Sequence, residues 1–268
     1  MFIPILFFYI ILFESNTHYK LVKSSISRWI ASVIKIMWVP TIFGAAIFLV
    51  NQLYLTPSST VSSNFTVTKF EYISTQLYVI LHYLGNFILP TSLSADPDIE
   101  IITPWYDKRI LMGLLLILTL IYTAFKCAKN EKTRPISFGI AWFFVALLPT
   151  SLVPLFQIAN DHRMFFPFMG MFIAVGFAGF YYYNLIQKHI YKMSFVIIVL
   201  LLISSYSFGT YERNKVWSST ESLWYDVTIK SPNNGRGLMN YGLSLMAKGD
   251  YDLALIHISE PTRLDGIA

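Results

Sequence analysis

Charge is what this sequence has least of. Of its 268 residues only 13% are Asp, Glu, Lys or Arg, while 55% are hydrophobic and 17% aromatic; a soluble domain carries about one quarter charged residues. That deficit excludes an ordinary water-soluble domain and, with several long uncharged runs, predicts a polytopic membrane protein. Cysteine is nearly absent too. Cys127 stands alone, which excludes an intrachain disulfide and a thiolate metal site. It lies beside Lys126 at a span end, where a small interfacial residue is the simple explanation and S-palmitoylation the functional one. No Lys/Arg cluster is interleaved with stacking aromatics, so nucleic acid is excluded as a partner. The net charge of +5 belongs to loops at the membrane surface. The run "MFIPILFFYIILF" lacks a basic n-region and so makes a poor signal peptide. That run is short against the ~20 residues of a span and predicts the remainder of a longer helix.

What is present is apolar length. Six runs predict membrane helices, at 1–13 (weak), 30–54, 109–126, 136–156, 165–187 and 193–211. Pro40, Pro149 and Pro154 predict kinks, which neighbouring helices or a cavity can satisfy. The connections alternate in charge. Lys20, Lys23, Arg28, Lys126, Lys129, Lys132, Arg134, Lys188 and Lys192 fall on one side, against Lys69, Lys108, Arg109 and Arg163 on the other. The richer side is predicted to be cytoplasmic, leaving Asp96, Asp98, Glu100, Asp107, the loop at Asp161 and everything after Ser207 outside it.

Phe70–Pro90 has apolar residues at helical spacing (Leu77, Ile80, Leu81, Leu84, Phe87, Ile88), with Gln76, His82 and Asn86 interrupting the other face. It predicts a re-entrant or interfacial helix, the rival being a seventh span. His82 has no second ligand at metal-binding spacing. Before it, "TPSSTVSSNFTVT" predicts an external loop with a glycosylation sequon at Asn64.

After the last span the pattern changes. Tyr241, Gly242, Leu245, Gly249, Tyr251 and Ala254 fit one tetratricopeptide repeat: Gly242 and Ala254 allow close helix approach, Gly249 makes the turn and Tyr251 fills a groove. A single repeat cannot bury its own apolar face, and Pro261 interrupts the pattern. The expected organisation is therefore all-α: a transmembrane domain over 1–211, an external helix with one repeat over 212–258, and a non-repeat tail over 259–268. A chain that is the middle of a longer protein is expected.

Four stretches together resemble the transmembrane and tetratricopeptide-repeat O-mannosyltransferase family and its bacterial relatives. They are "LPTSLSADPD", "ISFGIAWFFVALLPTSLVPL", "NDHRMFFPFMG" and "NYGLSLMAKGDYDLAL", covering roughly residues 30–258. The resemblance implies a C-type glycosyltransferase fold that moves a sugar from a polyprenyl-phosphate carrier to a protein acceptor recruited by the repeat. It implies a multi-pass protein of a bacterial inner membrane or the endoplasmic reticulum, with the repeat on the non-cytoplasmic side. The superfamily's catalytic carboxylate lies in a first external loop. No residue here matches it, so the chain is expected to be inactive alone. The rival function is a non-enzymatic membrane anchor presenting a repeat scaffold.

The candidate donor-phosphate residues are Asp161, His162 and Arg163 in "QIANDHRMFFPF". Arg163 can bind phosphate oxygens bidentately, His162 can donate to the same group or move a proton, and Asp161 can orient either or help hold a divalent metal. The simpler alternative is a His-Arg pair snorkelling to headgroups. Asp96 and Asp98 are candidates for the acceptor or metal side, with Asp-Pro-Asp turn chemistry as the structural alternative. No motif implies a cofactor, and a metal would need more oxygen ligands than one carboxylate supplies.

Overall fold

A computed structural model describes residues 2–14, 38, 41–42, 45–46, 68–153 and 157–256. The expected span at 30–54, the basic loop after Phe13, the sequon at Asn64, Pro154 and the tail at 259–268 lie wholly or mostly outside the described residues. Every regular element among those described is helical. They are α1 (Phe2–Tyr9), continued by a π-helical turn at Ile10–Glu14, then α2 (Lys69–Ile88), α3 (Lys108–Ala128) and α4 (Arg134–Leu152). A 3₁₀ turn (Asp161–Met164) leads into α5 (Phe165–Leu185), followed by α6 (His189–Val216), α7 (Thr220–Lys230) and α8 (Gly235–Met246). Residues 251–256 are helical again.

Helices α3, α4, α5 with its 3₁₀ lead-in, and α6 are long and apolar enough to cross a membrane. These match four of the expected spans, with α6 beginning four residues earlier and ending five later. At 1.5 Å per residue, the 28 residues of α6 reach about 42 Å, beyond the ~30 Å hydrocarbon core. The helix has no buried residue, and its polar end carries Glu212, Arg213 and Lys215 past its apolar stretch.

The chain divides into two compact units. One joins Met1–Thr68, Ile117–Leu152 and Phe166–Tyr181. Here α4 and α5 cross through glycines: a Cβ on Gly170 would lie 2.5 Å from the Gly139 carbonyl oxygen and 2.9 Å from Phe143 N, and one on Gly139 would meet the Gly170 carbonyl. Without a hydrophobic drive between helices in lipid, small residues supply attraction by letting backbones approach. Trp142 closes the contact by donating its indole N–H to Phe166 O at 3.1 Å. Ile136, Ile140 and Ala174 continue the seam, with Cys127 packed against them. Tyr9 and Phe13 set their rings edge-on to Phe138 at 6.1 and 5.8 Å, tying the short N-terminal helix to α4. The "FGIAWFF" stretch is thus a packing motif.

The other unit joins Lys69–Leu116, Val153–Phe165 and Tyr182–Ala268. A Cβ on Gly113 of α3 would strike the Leu77 carbonyl of α2, so this pair is also in backbone contact. Helix α2 is 20 residues long but is not among the four apolar enough to span. Its buried side is Tyr72, Thr75, Gln76, Val79, Tyr83 and Asn86, so the polar interruptions face inward while Ile88 is exposed. At the C-terminal end Ser219 and Ser222 form a capping box that starts α7. The side chain of Asn234 caps α8 by accepting from Gly237 N. Gly237 permits close approach of α8 to α7, since a Cβ there would lie 2.6 Å from Val227 Cγ1.

Of the repeat positions, Gly242, Leu245 and Ala254 are buried, and Gly249 takes φ +91° in the turn, a conformation natural to glycine. Tyr241 packs on Tyr225 of the preceding helix, ring centres 5.4 Å apart. Tyr251 differs from its expected groove-filling place and stands 63% exposed. Within the described residues no following helix covers it.

Candidate functional site

The "QIANDHR" loop packs against the inward polar face of α2. Asn160 is completely buried, and all of its polar groups are engaged. Its N–H donates to Tyr83 Oη at 2.7 Å, and its carbonyl accepts from the same hydroxyl at 3.3 Å. Its side-chain amide donates to Gln157 Oε1 at 2.7 Å and accepts from His162 N at 3.2 Å. Burial pushes the Tyr83 phenol up to about 12, so it stays neutral and serves as donor and acceptor together. Gln76 adds a bond to Ile158 O at 3.0 Å. This bracing converts an irregular connection into a shaped surface, as buried backbone polar groups require.

The three candidates in the loop then part company. Asp161 points to α2, accepting from Asn86 Nδ2 at 3.3 Å and from Ser94 N at 3.2 Å. His82 Nε2 lies 3.9 Å from the same carboxylate. Arg163 turns back along its own loop, donating from Nη1 to Gln157 O at 3.0 Å and from Nη2 to Gln157 Oε1 at 3.2 Å. His162 is exposed and lines a cleft of about 520 Å³ with Gln157, Asn160, Trp217, Trp224, Arg236 and Asn240 among its walls. The cleft falls within the size range of small-molecule sites. It combines two indole rings, carboxamides and a guanidinium, which suits a ligand with both ring faces and hydroxyl or anionic groups.

Asp96 and Asp98 also diverge. Asp96 is 5% exposed and accepts from Gln157 Nε2 at 3.1 Å through Oδ1 and from Arg236 Nε at 2.8 Å through Oδ2. Asp98 is exposed; burial of its carboxyl, then Glu100, raises it above its ordinary value, opposed by the backbone N–H of Asn233. Among the described residues no group of three His, Cys, Asp or Glu side chains is placed to hold a metal ion.

A second concavity adjoins the cleft. A largely apolar groove of about 540 Å³ runs between Ile88–Leu93 and the exposed side of α6, through Leu202, Tyr206 and Gly209 to Arg213 and Trp217. Trp217 borders both spaces. Tyr206 anchors the groove wall by donating to Ile88 O at 2.6 Å. The polar end of α6 is locked by Asp226, which bridges Arg213 at 2.5 Å and Lys230 at 2.8 Å.

Gln157, Trp217, Trp224 and Arg236 have no distinguishing signal in the sequence. Gln157 carried only its position beside the polar triplet. Arg236 meets Asp96 across 140 residues, a pairing invisible to any local pattern.

The His82 contact gives a pH prediction. The Asn86 amide nitrogen can only donate, so the His82 Nε2 at 3.2 Å accepts and is unprotonated. Burial lowers His82 below its ordinary 6.5, with Asp161 pulling the other way more weakly. The unfolded chain therefore binds this proton more readily. The His82 contribution to stability is complete above about 6.5 and is lost as pH falls from there towards the lowered folded value. His82→Gln is expected to flatten the decline in unfolding midpoint between about pH 7 and about pH 5 in detergent micelles. An unchanged slope would assign that decline to other groups.

Among known proteins, no family model, no curated protein and no solved structure matches the chain.

Proposed function

We propose that this chain belongs to a membrane glycosyltransferase that moves a mannose-like sugar from a polyprenyl-phosphate carrier to a protein hydroxyl on the non-cytoplasmic side. The observation that carries this reading is Trp217, which lines both an apolar groove along a membrane-grade helix and an aromatic and polar cleft. A lipid-linked sugar has that division: an isoprenoid tail for the groove, and a phosphate and sugar for the cleft. Arg163 does not itself line the cleft but spends two of its N–H groups on Gln157, which does, leaving the rest of its five for phosphate oxygens at the cleft edge. His162, Arg236 and the two indoles would contact the head group. In the transfer, the acceptor oxygen bonds to the anomeric carbon as the carbon–oxygen bond to phosphate breaks. The electron pair leaves on the polyprenyl phosphate, and a carboxylate base takes the hydroxyl proton. The helical hairpin of α8 and the segment after it would present the acceptor, the described spans making up the transmembrane domain.

Radiolabelled transfer from a polyprenyl-phosphate mannose, by the membrane-reconstituted protein in its longest native form, tests this directly. Arg163→Ala and Trp224→Ala are each expected to reduce turnover or donor affinity roughly tenfold or more, the scale of one charge-assisted hydrogen bond or one stacked ring. Unchanged donor affinity and turnover in Arg163→Ala and Arg163→Lys would remove the phosphate role.

A second reading, a membrane-anchored repeat scaffold, is favoured by the exposed apolar side chains Leu243, Tyr251, Leu253 and Leu255 on the hairpin. A repeat face of this kind is normally covered by a neighbouring repeat or a bound partner. Wild-type levels of partner capture by a protein devoid of transfer activity would select it.

A further inference from the structure

We infer that Asp96 is a positioning residue, through which the first helix of the C-terminal hairpin sets the side chain of Arg163. The path has three links. Arg236 on α8 donates from Nε to Asp96 Oδ2 at 2.8 Å. Asp96 Oδ1 accepts from Gln157 Nε2 at 3.1 Å. Gln157 Oε1 accepts from Arg163 Nη2 at 3.2 Å, and Gln157 O from Nη1 at 3.0 Å.

The central amide makes this more than a row of contacts. A carboxamide has one donor end and one acceptor end. With its NH₂ drawn to Asp96, its oxygen must face Arg163. Turning it over would place the carbonyl against a carboxylate and the NH₂ against a guanidinium, replacing two attractions by two repulsions. The Asn160 amide, donating to the same Oε1 at 2.7 Å, holds that orientation from a third direction. Asp96 in turn is buried, and a buried carboxylate without its cation is strongly unfavourable. Removing Arg236 therefore leaves the Asp96 side chain free to move, and that movement releases the amide.

The input end is mechanically tied to the hairpin. Asn234 Nδ2 donates to Asp96 O at 3.2 Å, Ser231 Oγ accepts from Asp98 N at 3.2 Å, and Lys230 Nζ donates to Leu93 O at 2.8 Å. Together with Arg236, these residues from the end of α7 and the start of α8 grip the 93–98 loop. A protein segment bound to the hairpin would thus act on Arg163 through Asp96. The consequence for transfer rests on the phosphate role proposed for Arg163, whereas the coupling is a property of the network alone.

The test uses the full chain in lipid nanodiscs, with Cys127→Ser as background and His162→Cys as a single reporter on the loop. Asp96→Asn, Arg236→Ala and Gln157→Ala are each expected to accelerate maleimide labelling of the reporter by roughly threefold or more. Arg236→Ala added to Gln157→Ala is expected to give no further acceleration, and Arg236→Lys to return most of the parent rate. Unchanged rates, or single effects that multiply in the double variant, would overturn the inference. Should Asp96→Asn fail to fold, the partly exposed Arg236 supplies the informative variant. Binding of farnesyl phosphate to Asp96→Asn, whose side chain is not among those lining the cleft, without the reporter, separates the two claims. Weakened binding supports both; unchanged binding beside accelerated labelling supports the coupling and overturns the phosphate role of Arg163.

Discussion

Gly139→Ala is expected to destabilise the protein by about 3 kcal/mol, at the upper end of the cost of overpacking. The added methyl would meet the Gly170 carbonyl oxygen and lie 2.6 Å from Ala174 N. Both are backbone atoms in the interior of α5, so no side-chain rotation can relieve the contact and the helices must separate. Separation would also strain the Trp142 bond to Phe166 O and loosen the Ile136, Ile140 and Ala174 seam. Gly176→Ala on the same helix is the matched control, since a Cβ there meets nothing within 4 Å; its effect is expected to stay within about 0.5 kcal/mol. Denaturant unfolding in mixed micelles measures both. Equal stability of the two variants would show that α4 and α5 do not cross in backbone contact.

The second large effect is expected at Asp226. Its carboxylate joins Arg213 from the polar end of α6 to Lys230 at the end of α7. The side chains of Arg213 and Asp226 are each about five-sixths shielded, at 16% and 15% exposure. Asp226→Ala leaves that arginine without its counter-charge, and breaking a shielded pair from one side costs about 3 kcal/mol. Arg213→Met combined with Asp226→Leu is expected to recover most of the loss, because the apolar pair removes the uncompensated charge. The measurement is again unfolding in micelles, with protease cleavage after Trp217 reporting release of α7. If the double variant were as unstable as Asp226→Ala, packing rather than charge would account for the effect.

Much of the helical organisation was legible in the residues. Apolar runs of span length at 109–126, 136–156, 165–187 and 193–211 became α3 to α6 with shifts of a few residues at most ends. They were legible because transfer into hydrocarbon depends on composition summed along one segment. The boundaries moved most at α6, where the helix continues into "GTYERNKV"; hydropathy ends where charge begins, but backbone hydrogen bonding does not. Turn chemistry was equally local, as at Gly249.

The site was legible only in outline. Asp96, Asp98, the Asp161–Arg163 stretch and the chain after Ser207 fall in one compact unit, as do Lys188 and Lys192 from the other expected side. Their roles were not readable. Asp161, His162 and Arg163 look equivalent as a polar triplet, yet one turns to α2, one lines the cleft and one braces its own loop. Likewise Asp96 and Asp98 read as a matched pair, and only the first is buried against a cation.

Composition and run length by themselves determined that four segments have the length and hydropathy to cross a bilayer, and they anticipated the helical character of the described residues. Tertiary structure alone decided that the polar face of α2 looks inward, that Gly139 and Gly170 touch, and that Gln157 stands between Asp96 and Arg163. The physical reason lies in range. Solvation and helix propensity are sums over neighbouring residues and are written along the chain. A buried polar side chain takes its partner from whatever the packing brings within 3 Å or so, here across 61 residues for Gln157 with Asp96 and 140 for Arg236 with Asp96.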